Sequence, residues 1–248
     1  MKRSTCLSFV IVFCFGWIVF QCSAAYAGER AIKLDQVHTF MGRGQLIVSA
    51  KGIRLENKDK LKYTLVAKAP DWKVTIYRDD DKTYFSESLN EFVSTGLFSG
   101  FVLLQKERLL KASHFTKSSI KFLGRDVVSW TRPHQTLKCL MVTNLAPEAE
   151  KIIWAAYKTP TNGAIPLVFI KAQSGKDYTS GANQEGQIET ILNTTKIENI
   201  DCNPKIFEAP SGYKLAKSLG VVFAGSAVRH DSVDFQSLFD MKPLGGRK

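Results

Sequence analysis

The clearest pattern in this chain is an alternation of apolar and polar positions along its first half. Between residues 61 and 67 every second position is apolar, and the same period of two returns from Trp72 to Tyr77. A period of two is typical of half-buried β-strands, and Pro70-Asp71 and Asp79-Asp80-Asp81 supply turn residues between them. The pattern predicts an antiparallel meander with strands at 45–50, 61–67, 72–77 and 82–85.

Two helices are predicted to interrupt the strands. Ser88 followed by Glu91 has the spacing of a capping box, in which a hydroxyl and a carboxylate satisfy the first free N–H groups of a helix. Pro147 stands where a second helix, over 148–157, would begin without needing a backbone donor. Residues 98–110 fit either a loop or a helix. Further strands are predicted at 119–123, 127–131, 137–142, 167–172 and 187–197.

This order of elements predicts an α+β fold with a broad antiparallel sheet and helices on one face. The strands alternate instead of being continuously apolar, which argues against a parallel sheet buried on both sides. We expect one domain over residues 28–230 and a loose C-terminal tail over 231–248, where the pattern weakens.

The N-terminal residues 1–27 have the features of a cleavable secretory signal peptide. A basic start at Lys2-Arg3 precedes an apolar run, and Ala25-Tyr26-Ala27 offers small residues for cleavage before Gly28. The alternatives are a membrane anchor, for which the run is short, and a lipoprotein signal at Cys22, where Gln21 is too bulky. We therefore predict a periplasmic or secreted protein that does not span a membrane after cleavage.

Cleavage changes both the charge and the cysteine count. The formal charge of +11 falls to +9 without Lys2 and Arg3, an excess that favours anionic partners such as an envelope surface. Of five cysteines, Cys139 and Cys202 remain, and an even number in an oxidising compartment predicts one disulfide between them. The alternative is two unrelated buried thiols.

Three segments together resemble the superfamily of periplasmic lipoprotein carriers and their outer-membrane receptor relatives. They are 52–56 (Gly-Ile-Arg-Leu-Glu) with 69–74 (Ala-Pro-Asp-Trp-Lys-Val), the strand pair at 165–173 and 188–197, and the turn at 206–214 (Ile-Phe-Glu-Ala-Pro-Ser-Gly-Tyr-Lys). The resemblance covers roughly residues 35–220. It implies an unclosed, strongly curved antiparallel sheet, a half-barrel, with helices on the concave face and an apolar cavity that holds acyl chains. Arg54 would then correspond to the arginine that locks the helical lid of the carriers.

No set of residues in the sequence predicts catalysis, a cofactor or a metal site. The four histidines are not at ligand spacing, no Gly-x-Ser-x-Gly motif occurs, and nothing indicates nucleic-acid binding. Aromatic residues among aliphatic ones either pack in the core or line a ligand cavity. The cavity candidates are Trp72, Trp130, Trp154 and Arg54.

Two functions fit these observations. The first is a non-catalytic extracytoplasmic protein that shelters a lipid, a lipoprotein acyl chain or another apolar ligand between sheet and helices. The second is an envelope interaction or sensor protein with the same fold and a filled core. The sequence does not decide between them, because it does not show whether the cavity-facing side chains leave space.

Overall fold

The computed structural model describes residues 28–59, 61–97, 108–110, 114–172 and 186–225. Within these residues twelve strands form one sheet. The strands are β1 (Glu29–His38), β2 (Gly42–Ser49), β3 (Gly52–Asn57), β4 (Thr64–Lys68), β5 (Val74–Arg78), β6 (Thr83–Glu87), β7 (Thr116–Phe122), β8 (Arg125–Arg132), β9 (Gln135–Leu140), β10 (Ile165–Ala172), β11 (Ile188–Cys202) and β12 (Lys214–Leu215).

The order across the sheet is β12-β6-β5-β4-β3-β2-β1-β11-β10-β9-β8-β7. The two-residue strand β12 is parallel to β6, and every other neighbouring pair is antiparallel. The outermost strands β12 and β7 do not pair with each other, so the sheet is unclosed. The four predicted strands of the meander correspond to β2, β4, β5 and β6, and β1 and β3 belong to the same meander without having been predicted. The long strand β11 joins it to the second half of the sheet by pairing with both β1 and β10.

Three α-helices and one 3-10 helix accompany the sheet: α1 (Leu89–Thr95), α2 (Pro147–Tyr157), α3 (Leu219–Ala224) and the 3-10 helix Pro204–Phe207. The predicted capping box is confirmed at α1. The Ser88 hydroxyl accepts the N–H of Glu91 at 3.3 Å, and the Glu91 carboxylate accepts the N–H of Ser88 at 2.8 Å. Pro147 is the first residue of α2, as its missing N–H predicts.

All three α-helices cover the same face of the sheet. Phe92 of α1, Ile152 of α2 and Val222 of α3 belong to one hydrophobic core with strand residues such as Leu34 and Leu65. These five side chains are fully shielded from solvent. The opposite face carries a smaller apolar cluster beside the 3-10 helix, made of Ala31, Ile47, Cys202 and Phe207. The fold is therefore α+β, with the helices on one face of an unclosed sheet.

Several predicted boundaries differ from the observed ones, and five elements were not predicted as such. The strands β1 and β3, the edge strand β12, α3 and the 3-10 helix did not stand out from the alternation. The predicted signal peptide, the tail at 231–248 and most of the open segment 98–110 lie outside the described residues. Within the described part of the chain, no helix has both the length and the apolar character that crossing a membrane requires.

Candidate functional site

Trp72 lies in the turn between β4 and β5, not on a strand as the alternation suggested. Its backbone N–H donates to the carbonyl of Lys68 at 2.9 Å, and its φ of +50° is that of a turn residue. The indole is 6% exposed and belongs to the main core. Trp72 is therefore a packing residue of the core beneath this turn.

Arg54 does not face the core, which corrects its predicted place among the cavity residues. It stands between Ile53 and Leu55 on β3, and because those two point into the main core, strand alternation directs Arg54 to the other face. There its guanidinium donates to the hydroxyl of Tyr77 at 2.7 Å and to the carbonyl of Ile206 at 3.4 Å. Arg54 therefore connects the 3-10 helix to the sheet through its hydrogen bond to Ile206.

Trp130 lies near the β7 edge of the sheet and keeps part of its ring in solvent. It sits on β8 opposite Leu137 of β9 and Lys117 of β7, and packs against the main core. The Lys117 ammonium lies 5.2 Å from the centre of the indole. Beside it, the guanidinium of Arg132 lies 4.8 Å from the ring of Phe115. Each half-buried aromatic ring here is covered by a cation.

Trp154 on α2 is also half-buried, and its N–H group is the one that needs explanation. The indole nitrogen is shielded from solvent, yet no described residue accepts its hydrogen bond. The ammonium of Lys158, one helical turn further on, lies 4.8 Å from the centre of the ring. Lys158 also lies against Gly96 at the end of α1, where an added Cβ would come within 2.7 Å of its Nζ.

Lys158 ends α2 in a left-handed conformation, with φ of +49°. Partial burial lowers the pKa of its ammonium from the usual value. Among the described residues, no carboxylate forms an ion pair with it. Trp154 and Lys158 thus place two hydrogen-bond donors close together with no acceptor in the described part of the chain. The sequence alone did not indicate this pair, because it depends on how α2 packs.

The predicted disulfide is not formed: Cys139 and Cys202 are free and far apart. Cys139 on β9 lies opposite Pro166 of β10, and that part of β10 pairs with β11 near Asn193. Cys202 is nine residues further along β11, roughly 30 Å at about 3.3 Å per residue. A disulfide needs Cα atoms within about 7 Å. The two thiols also lie in different clusters, on opposite faces of the sheet.

Cys139 instead belongs to a buried polar cluster behind α2. The carboxylate of Glu150 accepts hydrogen bonds from the Arg108 guanidinium, the Thr161 hydroxyl and the N–H of Gly163. The Cys139 thiol donates to the carbonyl of Thr161 at 3.5 Å. Burial, with the nearby Glu150 charge, raises the pKa of this thiol well above its usual range. The thiol is therefore held in its unreactive protonated form.

A second buried polar group joins β1 to the end of α2. The Tyr157 hydroxyl donates to Gln36 at 2.8 Å, and Gln36 donates to Thr194 at 2.9 Å. His38 donates through Nε2 to the carbonyl of Tyr157 at 3.1 Å, while its Nδ1 accepts the N–H of Phe40 at 3.2 Å. Burial lowers the pKa of His38 from 6.5 to about 4, so the ring is neutral at pH 7.

Gln36, His38 and Tyr157 line a small recess of about 10 Å³, the size of a single water molecule, that also meets Asn57 and Tyr63. Sites for drug-sized ligands are usually about 300–1,000 Å³. The polar groups that surround the pocket are paired with one another, and none of the four predicted site residues lines it. The pocket is therefore too small for such a ligand, and neither Trp154 nor Lys158 lines it.

Comparisons with known proteins do not assign this chain to a family. No family model matches it, and no curated protein matches it. Among solved structures, it is similar to an uncharacterized conserved protein from Thermus thermophilus, with a TM-score of 0.40 and 8% sequence identity. That match covers 75% of this chain and 89% of the other. The class of site is accordingly defined by this chain's own residues: an aromatic ring, a buried N–H donor and an ammonium group.

Proposed function

We propose that this chain is an extracytoplasmic, non-catalytic binding protein whose ligand combines an apolar chain with an anionic group. Ligands of this kind are a fatty acid, a phospholipid, or a lipoprotein acyl chain that lies beside a phosphate group. The observation that carries the proposal is the pair of donors at the end of α2, the Trp154 indole N–H and the Lys158 ammonium, which have no acceptor among the described residues.

A buried donor without a partner costs free energy, and a partly buried cation without a counter-charge costs more. The lowered pKa of Lys158 has the same cause, since burial disfavours its charged form. A carboxylate or phosphate oxygen bound here would accept from both groups and remove both penalties. A neutral or cationic head group would leave the ammonium uncompensated.

The apolar part of the ligand is assigned to the space between the helices and the sheet. The unclosed sheet with helices on one face is compatible with the lipoprotein-carrier resemblance, which implies strong curvature, helices on the concave face and an acyl-binding interior. Each methylene buried there would contribute about 0.8 kcal/mol. Trp130 beneath Lys117 would offer a second aromatic and cationic contact at the rim. Trp72 and Arg54 have no part in this site.

The filled-core alternative has its own supporting observation. Trp72 and the side chains around it are almost fully buried, and the pocket described above has a volume of only about 10 Å³. If no ligand enters between α2 and the sheet, the fold serves as an envelope interaction or sensor module. Under our proposal, α2 must shift from the sheet to admit an acyl chain.

Fluorescence titration separates these two functions. Oleate should change the tryptophan emission of the wild type saturably, and oleyl alcohol, which lacks the carboxylate, should bind at least tenfold more weakly. Lys158→Met should lose about tenfold in oleate affinity, because a hydrogen bond to a charged group contributes about 1.5–3 kcal/mol. Lys151→Met on the same helix is the matched control and should bind as the wild type does. The absence of any wild-type response, or equal binding by Lys158→Met, would refute the proposal.

The extracytoplasmic location is tested separately at the N terminus. Sequencing of the protein exported by its host should begin Gly28-Glu29-Arg30, as cleavage after Ala27 predicts. A retained Met1 or a lipidated Cys22 would contradict this location.

A further inference from the structure

The hairpin that joins β7 to β8 has an unusual residue at its tip. Phe122 pairs with Arg125, so Leu123 and Gly124 form a two-residue turn. Their φ values are +48° and +75°, as in the type I′ turns in which asparagine, aspartate and glycine are favoured. A branched aliphatic residue is poorly suited to this conformation. Nothing lies within 4 Å of an added Cβ at Gly124, so the tip projects into open space.

Leu123 differs from the other non-glycine residues with positive φ among the described residues. Five of those are polar, and the sixth, Trp72, is buried in the core. Leu123 alone in this group is both apolar and exposed, at 46%. The tip thus combines a disfavoured backbone conformation with an apolar side chain in water. Neither feature stabilises the hairpin, which points to a role outside it.

A second exposed apolar side chain lies at the same end of the sheet. Cys139 of β9 pairs with Val128 of β8, so the residues that follow Cys139 run beside those that precede Val128, towards the hairpin tip. Met141, the first residue after β9, is 58% exposed. Leu123 and Met141 therefore leave two large apolar groups in solvent at one end of neighbouring strands.

Basic residues lie near this apolar end, although Lys117 and Arg132 are at the far end of their strands. Residues 116–140 contain five lysine and arginine residues and one acidic residue, Asp126, whose carboxylate is already paired with Lys121 at 2.8 Å. Arg125 follows the tip directly, and the Lys138 ammonium lies 5.0 Å from the centre of the Phe122 ring. By contrast, β1–β6 and their turns, residues 29–87, contain twelve basic and nine acidic residues. The positive charge is thus concentrated in β7–β9.

We propose that this end of the sheet docks on an anionic phospholipid bilayer, with Leu123 and Met141 in the interface and the neighbouring cations on lipid phosphates. An apolar tip with lysine and arginine residues beside it is complementary to that surface, because the bilayer offers an apolar layer beneath a negatively charged one. The partner is the membrane itself. This docking does not depend on the ligand site at Trp154 and Lys158.

Vesicle co-sedimentation tests the docking with the protein expressed from its full sequence and processed by the cell. The wild type should bind vesicles of phosphatidylcholine with 30% phosphatidylglycerol at least tenfold more strongly than phosphatidylcholine alone, and added salt should weaken this binding. Leu123→Asn should reduce binding about tenfold. Its melting temperature should stay the same or rise, because asparagine tolerates the left-handed conformation. Arg125→Gln should reduce binding about fivefold.

Leu215→Asn is the matched control. Leu215 is 67% exposed on β12, at the opposite edge of the sheet, and its replacement should leave vesicle binding unchanged. Equal binding by wild type and Leu123→Asn would overturn the docking proposal, as would equal binding to both vesicle types. Self-association of the wild type that is lost in Leu123→Asn, without vesicle binding, would also overturn it by assigning the tip to a second copy. Oleate titration of Leu123→Asn should match the wild type, so failure of one proposal is distinguishable from failure of the other.

Discussion

The centre of the β1–β6 meander and the β7–β9 end of the same sheet are built differently. Around β3 both faces are covered: Ile53 and Leu55 point into the main core, while Gly52 and Arg54 contact the 3-10 helix on the other side. Along β7, in contrast, most residues are exposed, and the neighbouring aromatic rings are half-buried beneath lysine and arginine. The comparison indicates that the first region contributes more to stability, whereas the second leaves most of its side chains at the surface, where we propose that binding occurs.

The largest effect is expected at Trp72, in the packed region. Trp72→Ala should destabilise the protein by about 3–5 kcal/mol, because it empties a nearly fully buried indole site in the main core. Urea unfolding measures the change. If the variant instead keeps its stability and loses oleate binding, Trp72 lines a ligand cavity, and the core beneath this turn is not filled.

The packed region should also respond to acid through His38. Because burial lowers the pKa of His38 from 6.5 to about 4, the unfolded chain binds a proton in this window and the folded one does not. The contribution of neutral His38 to the free energy of unfolding is therefore complete above pH 6.5. It is lost as pH falls towards 4, and the total loss is about 3 kcal/mol.

Urea unfolding between pH 6.5 and 5 isolates this effect from most carboxylates. His38→Gln retains a donor for the Tyr157 carbonyl and should flatten the pH dependence in this window. An equal slope in wild type and variant would show that His38 is not the titrating group.

The contact between β3 and the 3-10 helix should give a smaller effect. A Cβ on Gly52 would come within 2.9 Å of the Phe207 Cβ and closer still to its ring, so Gly52→Ala should cost about 1–3 kcal/mol by overpacking. The same substitution in a Phe207→Ala background should cost much less. Equal costs in both backgrounds would mean that this contact does not determine the packing of the second face.

The smallest effect on stability is expected in the β7–β9 end. Trp130→Ala should cost about 1 kcal/mol, because the ring is only half-buried and its cation contact with Lys117 is weak at an exposed site. Thermal unfolding compares it with Trp72→Ala under the same conditions. Similar losses for the two variants would remove the contrast between the two regions.

Much of the sheet could be predicted because its information is local. Alternation identifies β4 and β5, and the Ser88–Glu91 spacing places the start of α1. The alternation also indicated that Arg54, between two apolar neighbours, points to the face of the sheet opposite the core. The family resemblance instead suggested that it faces the cavity. Trp72 was misplaced because it continues the period of two into a turn.

The remaining features depend on distance across the fold. An even number of cysteines carries no information about their separation, and β11 places Cys139 and Cys202 far apart on opposite faces. That the donor pair of Trp154 and Lys158 has no acceptor among the described residues becomes visible only once α2 is packed. The exposed Leu123 becomes unusual only when its backbone conformation is known.

Native mass spectrometry of protein purified without detergent from its own host shows whether the Trp154–Lys158 pair binds an anionic amphiphile. The wild type should carry an amphiphile with a carboxylate or phosphate group, Lys151→Met should carry the same one, and Lys158→Met should have lost most of it. Wild-type protein without a bound amphiphile, or Lys158→Met with as much as the wild type, would contradict the account and leave the fold with a filled core and an interaction role.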